Sequence, residues 1–249
     1  MPPTPSGDLS AAPPAGPSGA PRVAFFGGSF DPPHLGHLAI ARAARAALQL
    51  DRILFAPVAA QPLKPQGSSA SFRERVSMTR LAIAGEPAFE LSLLDAPTAD
   101  APEAPRYTIG TLAHLRAQLP AAAQLFCLIG ADSFLTLRRW HRAAEVPFAA
   151  ALIVAARPGQ SLHDLATALP ADLALAPNPA ADASSPVELR AFTLRNAAGL
   201  TAPLYLLPGL HFDLSASQIR RALYAGQPDS GALLPAAVSH YIAEHHLYR

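Results

Sequence analysis

Arg22-Val23-Ala24-Phe25-Phe26-Gly27-Gly28-Ser29-Phe30-Asp31-Pro32-Pro33-His34-Leu35-Gly36-His37 is the stretch on which the fold turns. The apolar run from Arg22 to Phe26 ends in two glycines, the pattern of a buried strand entering a tight turn. From about Gly36 to Leu50 the text becomes helical, with apolar Leu38, Ala41 and Leu48 interleaved with Arg42 and Arg45. Arg52-Ile53-Leu54-Phe55-Ala56-Pro57-Val58 then reads as a second strand. Strand, helix and strand in so short a span make a βαβ unit, whose crossover is right-handed and whose strands are parallel. Further strands are expected at Phe89–Leu94, Leu125–Ile129, Ala150–Ala156 and Pro203–Leu207. Helices are expected at Phe72–Ala84, Ile109–Leu119, Ser215–Tyr224 and Pro235–His245. The alternation predicts an α/β protein: a Rossmann-like, doubly wound, mostly parallel sheet with helices on both faces in a single domain. Ligands of such sheets bind at the carboxyl ends of the strands.

Composition narrows the function. The chain has 249 residues, 50% of them apolar and 15% charged, which excludes a disordered chain. No run of about 18 apolar residues lacks charge or proline, so no membrane partner is expected. A net charge of +1 gives no broad surface for a nucleic acid polymer. Any phosphate chemistry must come from a local site. Cys127, the only cysteine, lies in the apolar run Leu125–Ile129 and reads as a buried, inert thiol. Residues 1–20 are proline, glycine, serine and alanine with one acid and no base, and read as a disordered tail. They resemble neither a secretory signal nor a transit peptide, so a cytoplasmic location is expected. The folded domain then spans 21–249. Within it, about 158–202 is rich in alanine and proline and is treated as an insert, with one helix near Leu162–Leu169 followed by a loop. The sequence carries no sign of oligomeric state.

The chemistry concentrates at the first turn. Gly27 and Gly28 let the backbone approach a ligand closely, and a helix N-terminus favours anions through its unpaired N–H groups and its dipole. His34 and His37, at i and i+3, can set both imidazoles beside the same anion. A lone histidine would read as an ordinary turn residue; two in this arrangement point to phosphate. A second constellation lies in Ser215-Ala216-Ser217-Gln218-Ile219-Arg220. Ser215 and Gln218 have capping-box spacing, and Arg220 falls on the face of Ser217. A hydroxyl and a guanidinium at a helix start can clamp phosphate as well as cap the helix. Trp140, the only tryptophan, sits among Arg138, Arg139, His141 and Arg142, which suits a pocket wall that stacks on a planar ring. Lys64 is the single lysine among 19 basic residues, and its retention suggests a need for a compact ammonium.

Together these stretches resemble the nucleotidylyltransferase superfamily, marked by a T/H-x-G-H signature after the first strand. The form GGSFDPPHLGHL looks specifically like the bacterial nicotinate-nucleotide adenylyltransferases. Arg106-Tyr107-Thr108-Ile109-Gly110-Thr111-Leu112 is similar to their S-Y-T-x-D-T-L segment. Leu128-Ile129-Gly130-Ala131-Asp132-Ser133 with Trp140 is similar to I-G-x-D…W, and Arg157-Pro158-Gly159 to R-P-G. Ser215 to Arg220 resembles I-S-S-T-x-I-R, Gln61-Pro62-Leu63-Lys64-Pro65 resembles P-x-H-K, and Leu234 to Tyr248 fits the final helix. The chain departs from the pattern at Ala216, in place of the second serine, at Ser217, in place of threonine, and at Gly110, in place of aspartate.

The resemblance implies transfer of AMP from ATP to nicotinate mononucleotide, giving nicotinate adenine dinucleotide and pyrophosphate. It implies ATP contacts from Gly27, Gly28, Ser29, Phe30, His34, His37, Lys64, Ser215, Ser217 and Arg220, with His34, His37 and Arg220 catalytic. It implies mononucleotide contacts from Tyr107, Thr108, Asp132, Trp140 and His141. Magnesium is expected to ride on the ATP phosphates rather than on protein ligands. The alternatives are another nucleotidylyltransferase, acting on nicotinamide mononucleotide or phosphopantetheine, or a catalytically silent nucleotide-binding regulator.

Overall fold

The computed structural model describes residues 19–63, 67–99, 104–156, 166–178, 189–207, 215–227 and 232–249. The sequence reading of Lys64, of Arg157-Pro158-Gly159 and of the tail up to residue 18 falls outside them.

Strands β1 (Arg22–Gly28), β2 (Arg52–Pro57), β3 (Phe89–Leu91), β4 (Gln124–Gly130), β5 (Ala151–Ala155), β6 (Leu173–Pro177), β7 (Arg190–Asn196) and β8 (Thr201–Leu207) form one sheet. Its order is β3-β2-β1-β4-β5-β8-β7-β6. All pairings from β3 to β8 are parallel, and β8-β7 and β7-β6 are antiparallel. The chain winds outward from β1 through β2 to β3, then returns to lay β4 on the other side of β1. That reversal leaves a crevice at the carboxyl ends of β1 and β4, where no connection covers them.

Alternation along the strands splits the core in two. Ala24, Phe26, Ile53, Phe55, Phe126 and Leu128 point to one face. There they meet α1 (Leu35–Leu48) through Leu38, Ala41 and Ala44, and α2 (Phe72–Ile83) through Met78 and Ala82. Ile219 of α6 (Ala216–Tyr224) and Val238 and Ile242 of α7 (Ala236–Glu244) complete this layer. Val23, Phe25, Leu54, Cys127, Leu152 and Val154 point the other way. They pack on α3 (Thr108–Gln118) through Ile109, Leu112 and Leu115, on Phe134 of α4 (Ala131–Phe134), and on Val146 of α5 (Val146–Ala149). With both faces covered, β1, β2, β4 and β5 are apolar on both sides, which is why they read as runs in the sequence.

The region from 158 to 202 differs from the sequence reading. Residues 166–168 do form a helical turn, but β6 and β7 follow and extend the sheet as antiparallel strands. Alanine hides β6, whose buried anchor is Leu173. In β7 the period-two signal is present, with Phe192 and Leu194 buried and Thr193 and Arg195 on the opposite side. Beyond Trp140 a short 3-10 turn, Ala143–Glu145, and α5 also lie where no element is expected from sequence.

Gly110, the departure in α3, is exposed, and a Cβ built on it would meet nothing within 4 Å. Glycine there costs helix stability through the freedom it retains in the unfolded chain. Gly110→Ala should raise stability by about 0.5–1 kcal/mol, or roughly 1–4 °C in thermal midpoint. A midpoint unchanged or lowered in thermal denaturation would contradict this.

Candidate active site

A cleft of about 790 Å³ opens at the crevice between β1 and β4. Its floor is the end of β1, Gly27 and Gly28, together with Ile129 and Gly130 of β4, Ala155 at the end of β5 and Ala156 after it. A Cβ at Gly27 would stand 2.8 Å from the buried ring of Phe25, so at that position the floor is bare backbone by steric need. Phe30 takes a left-handed backbone, φ +47, which turns its ring into the core. Its contribution to the cleft is therefore its backbone.

That buried ring supports the histidines. Phe30 lies edge-on to His37 with ring centroids 5.0 Å apart, and the rings of His34 and His37 stand 3.8 Å apart. His34 is the N-cap of α1, in extended conformation, and its N–H donates to Nδ1 of His37 at 3.1 Å. An accepting Nδ1 fixes the proton of neutral His37 on Nε2, leaving that nitrogen as a donor. His34 is buried, and desolvation pushes its pKa down to about 4. It is neutral at neutral pH and can meet an anion only by hydrogen bonding.

Opposite, Ser215 caps α6, accepting from the Gln218 N–H at 3.2 Å while the Gln218 side chain accepts from the Ser215 N–H at 2.9 Å. The Ser215 hydroxyl also donates to Gln218 Oε1 at 2.9 Å, so it serves the cap as well as lining the cleft. Arg220 lies one turn on. It donates to the carbonyl of Asp31 at 2.7 Å and to Ser217 Oγ at 3.3 Å. Ala216 in place of a serine leaves this hydroxyl–guanidinium pair intact.

The far wall is aromatic. The ring of Tyr107, the N-cap of α3, lies tilted by 31° against that of His141 with centroids 4.4 Å apart. This contact brings the first N–H groups of α3, at Thr108 and Ile109, beside the loop that carries Trp140. Helix geometry leaves those N–H groups without intrahelical acceptors. Trp140 is half-buried, with its indole N–H on Thr136 Oγ1 at 3.2 Å, and Asp132 stands in the first turn of α4.

Every described residue expected at the site therefore lines one cleft, and Lys64 is the single one outside the description. Sequence reasoning missed Gln61, Asp95, Arg106 and Arg139, which also line it. Asp95 is buried; desolvation raises its pKa, while the Thr111 hydroxyl, donating at 2.5 Å, and Arg106 lower it. Nothing in the sequence marks Asp95, since its burial arises only when α3 folds over it. Cys127 is buried as expected, and burial first, then Asp95, push its thiol up to about 12.

Residues 25–222 match the cytidylyltransferase-like family. The chain belongs to the cytidylyltransferase-like family. Among its curated relatives in this family, a protein of Pelobacter propionicus named "Probable nicotinate-nucleotide adenylyltransferase" is 37% identical over 91% of this chain and 98% of its own. One of the same name from Gloeobacter violaceus is 37% identical over 91% and 96%. A solved structure of the Plasmodium falciparum nicotinic acid mononucleotide adenylyltransferase complexed with NaAD superposes with a TM-score of 0.64. It covers 92% of this chain and 97% of its own at 17% identity, a likeness of fold. No described helix of this cytidylyltransferase-like chain is long and apolar enough to cross a membrane.

Burial of neutral His34 has a measurable consequence. Its folded pKa of about 4 lies below the unfolded value of 6.5, so the unfolded chain binds the extra proton between these values. The stability it supports is present above pH 6.5 and is lost as pH falls toward 4, by about 3 kcal/mol in all. Replacing it, His34→Asn, should flatten the fall of thermal midpoint across that window. Parallel profiles for the two proteins would refute the assignment.

Proposed function

We propose that this protein transfers AMP from ATP to nicotinate mononucleotide, releasing nicotinate adenine dinucleotide and pyrophosphate. The observation that carries the reading is the pairing of two unlike walls in one cleft. One is lined by groups able to donate hydrogen bonds to phosphate, from His34 and His37 to Ser217 and Arg220. The other is an aromatic wall at Tyr107, Trp140 and His141. Relatives that bear the corresponding name match nearly the whole chain at 37% identity.

In this reaction a phosphate oxygen of the mononucleotide attacks the α-phosphorus of ATP in line. The new P–O bond forms as the bond to the bridging oxygen breaks, and that electron pair leaves with pyrophosphate. The nucleophile is already ionised, so no base is required and catalysis reduces to positioning and charge stabilisation. His37 Nε2–H serves the α-phosphate and the leaving oxygen, and His34 adds a neutral donor beside it. Ser217 and Arg220 hold the β- and γ-phosphates, with Ser215 at the start of the same helix. The backbone from Gly27 to Phe30 lines the junction, and Asp132 meets a ribose.

Magnesium fits as a companion of ATP. Among the described residues no group of three or more His, Cys, Asp or Glu side chains converges to cage a metal. Of the cleft acids, Asp31 and Asp95 are already hydrogen-bonded to protein groups. Carried with ATP, the ion would offset charge on the triphosphate.

Two outcomes check the reading by pyrophosphate release. His37→Ala should lower kcat by about 10²–10⁴-fold with the fold intact, and activity within threefold of wild type would remove its role. Nicotinate mononucleotide should exceed the nicotinamide form by at least ~10²-fold in kcat/KM. N–H donors at Thr108 and His141 satisfy both carboxylate oxygens, whereas an amide would oppose its NH₂ to one of them. Equal kcat/KM values would refute that selectivity.

A further inference from the structure

Arg220 can serve a phosphate only if its guanidinium is kept from a stronger partner close by. Asp31 is buried, and its carboxylate lies between two arginines, Arg220 and Arg75. Carboxylate and guanidinium pair bidentately where geometry allows, with charge-assisted bonds stronger than those to a carbonyl or hydroxyl. Here they do not. Asp31 Oδ2 accepts the Ser69 N–H at 2.7 Å, and Oδ1 accepts the Ala70 N–H at 3.0 Å. The Tyr248 hydroxyl donates to Oδ1 at 2.7 Å. Arg220 stays 3.7 Å from Oδ2 and bonds instead to the Asp31 carbonyl and to Ser217. Among the described residues these are its hydrogen-bond acceptors, two for a fork of five donor hydrogens.

Tyr248 is built into this position. It follows α7, is 6% exposed, and holds a left-handed backbone at φ +59. Burial, with the neighbouring Asp31 charge, pushes its hydroxyl pKa far up, so it stays a donor. It reaches Asp31 across 217 positions of sequence.

We propose that Tyr248 is a positioning residue whose hydroxyl, with the Ala70 N–H, fills Oδ1 of the Asp31 carboxylate, blocks bidentate pairing with Arg220 and so keeps Arg220 available to the phosphates of ATP. This rests on the reading of the cleft as an ATP site. Without the hydroxyl, Oδ1 gains a free lone pair and Arg220 can close onto the carboxylate, away from the cleft.

Tyr248→Phe removes one oxygen and keeps the ring. Calorimetry with ATP and Mg²⁺ should show binding about tenfold weaker, and KM for ATP should rise in step. KM for nicotinate mononucleotide should stay within about twofold, and the thermal midpoint within roughly 3 °C. In an Arg220→Ala background the same change should cost less than about twofold, because both variants remove one contact. An unchanged ATP affinity in Tyr248→Phe overturns the proposal. So does a tenfold loss that persists without Arg220, or an equal weakening of both substrates with a large fall in midpoint. If the wild type releases no pyrophosphate with nicotinate mononucleotide, the reaction assignment fails, while ATP calorimetry still decides the role of Tyr248. A wild type that binds no ATP overturns both.

Discussion

One buried guanidinium holds the first turn of this sheet in place. Arg75 of α2 is 1% exposed, and it donates to the carbonyls of Ser29 at 2.7 Å, Ala70 at 3.3 Å and Ala59 at 3.4 Å. These three acceptors belong to three separate segments: the turn after β1, the loop after β2, and the lead-in to α2. Burial lowers the pKa of Arg75, and Asp31 and Tyr248 offset this in part. Removing it would leave three carbonyls without their donor around a turn whose own conformation, at Phe30, is unfavourable for a non-glycine residue. The turn keeps its shape because its surroundings leave it no other.

The electrostatics follow from that frame. The turn presents neutral donors: backbone N–H groups, and a His34 that burial keeps uncharged. Formal positive charge comes from the other side, on Arg220, and from Arg106 and Arg139 on the cleft wall. A polyanion in the cleft would therefore meet dipoles on one flank and a cation on the other. Dipoles held rigidly need no reorganisation as charge moves along a triphosphate. Asp31 binds the two flanks together, since its carbonyl anchors Arg220 and its carboxylate anchors the segment before α2.

Much of this is written locally. The βαβ start, both histidines and the cap at Ser215 follow from spacing and residue type, because each involves neighbours within one turn. Trp140 is marked by its polar flanks. What escapes sequence reading depends on distant partners. Arg75 reads as one more arginine on an amphipathic helix, and only the folded chain shows that it faces inward. Asp31 stands inside the recognisable motif, but its partners are at 69, 70, 220 and 248. β6 is hidden by alanines, whose small side chains weaken the alternation that marks a half-buried strand. β7 could have been found from Phe192 and Leu194.

The placement of Trp140 carries an experimental consequence. Its indole lines the cleft and is hydrogen-bonded to Thr136, and the chain has no other tryptophan. Intrinsic emission excited at the red edge of protein absorbance therefore originates from a single point on the aromatic wall. An electron-poor ring laid against that indole would quench it. The unlabelled protein thus carries its own optical probe, able to follow in real time the filling of one half of the cleft while the other half stays dark.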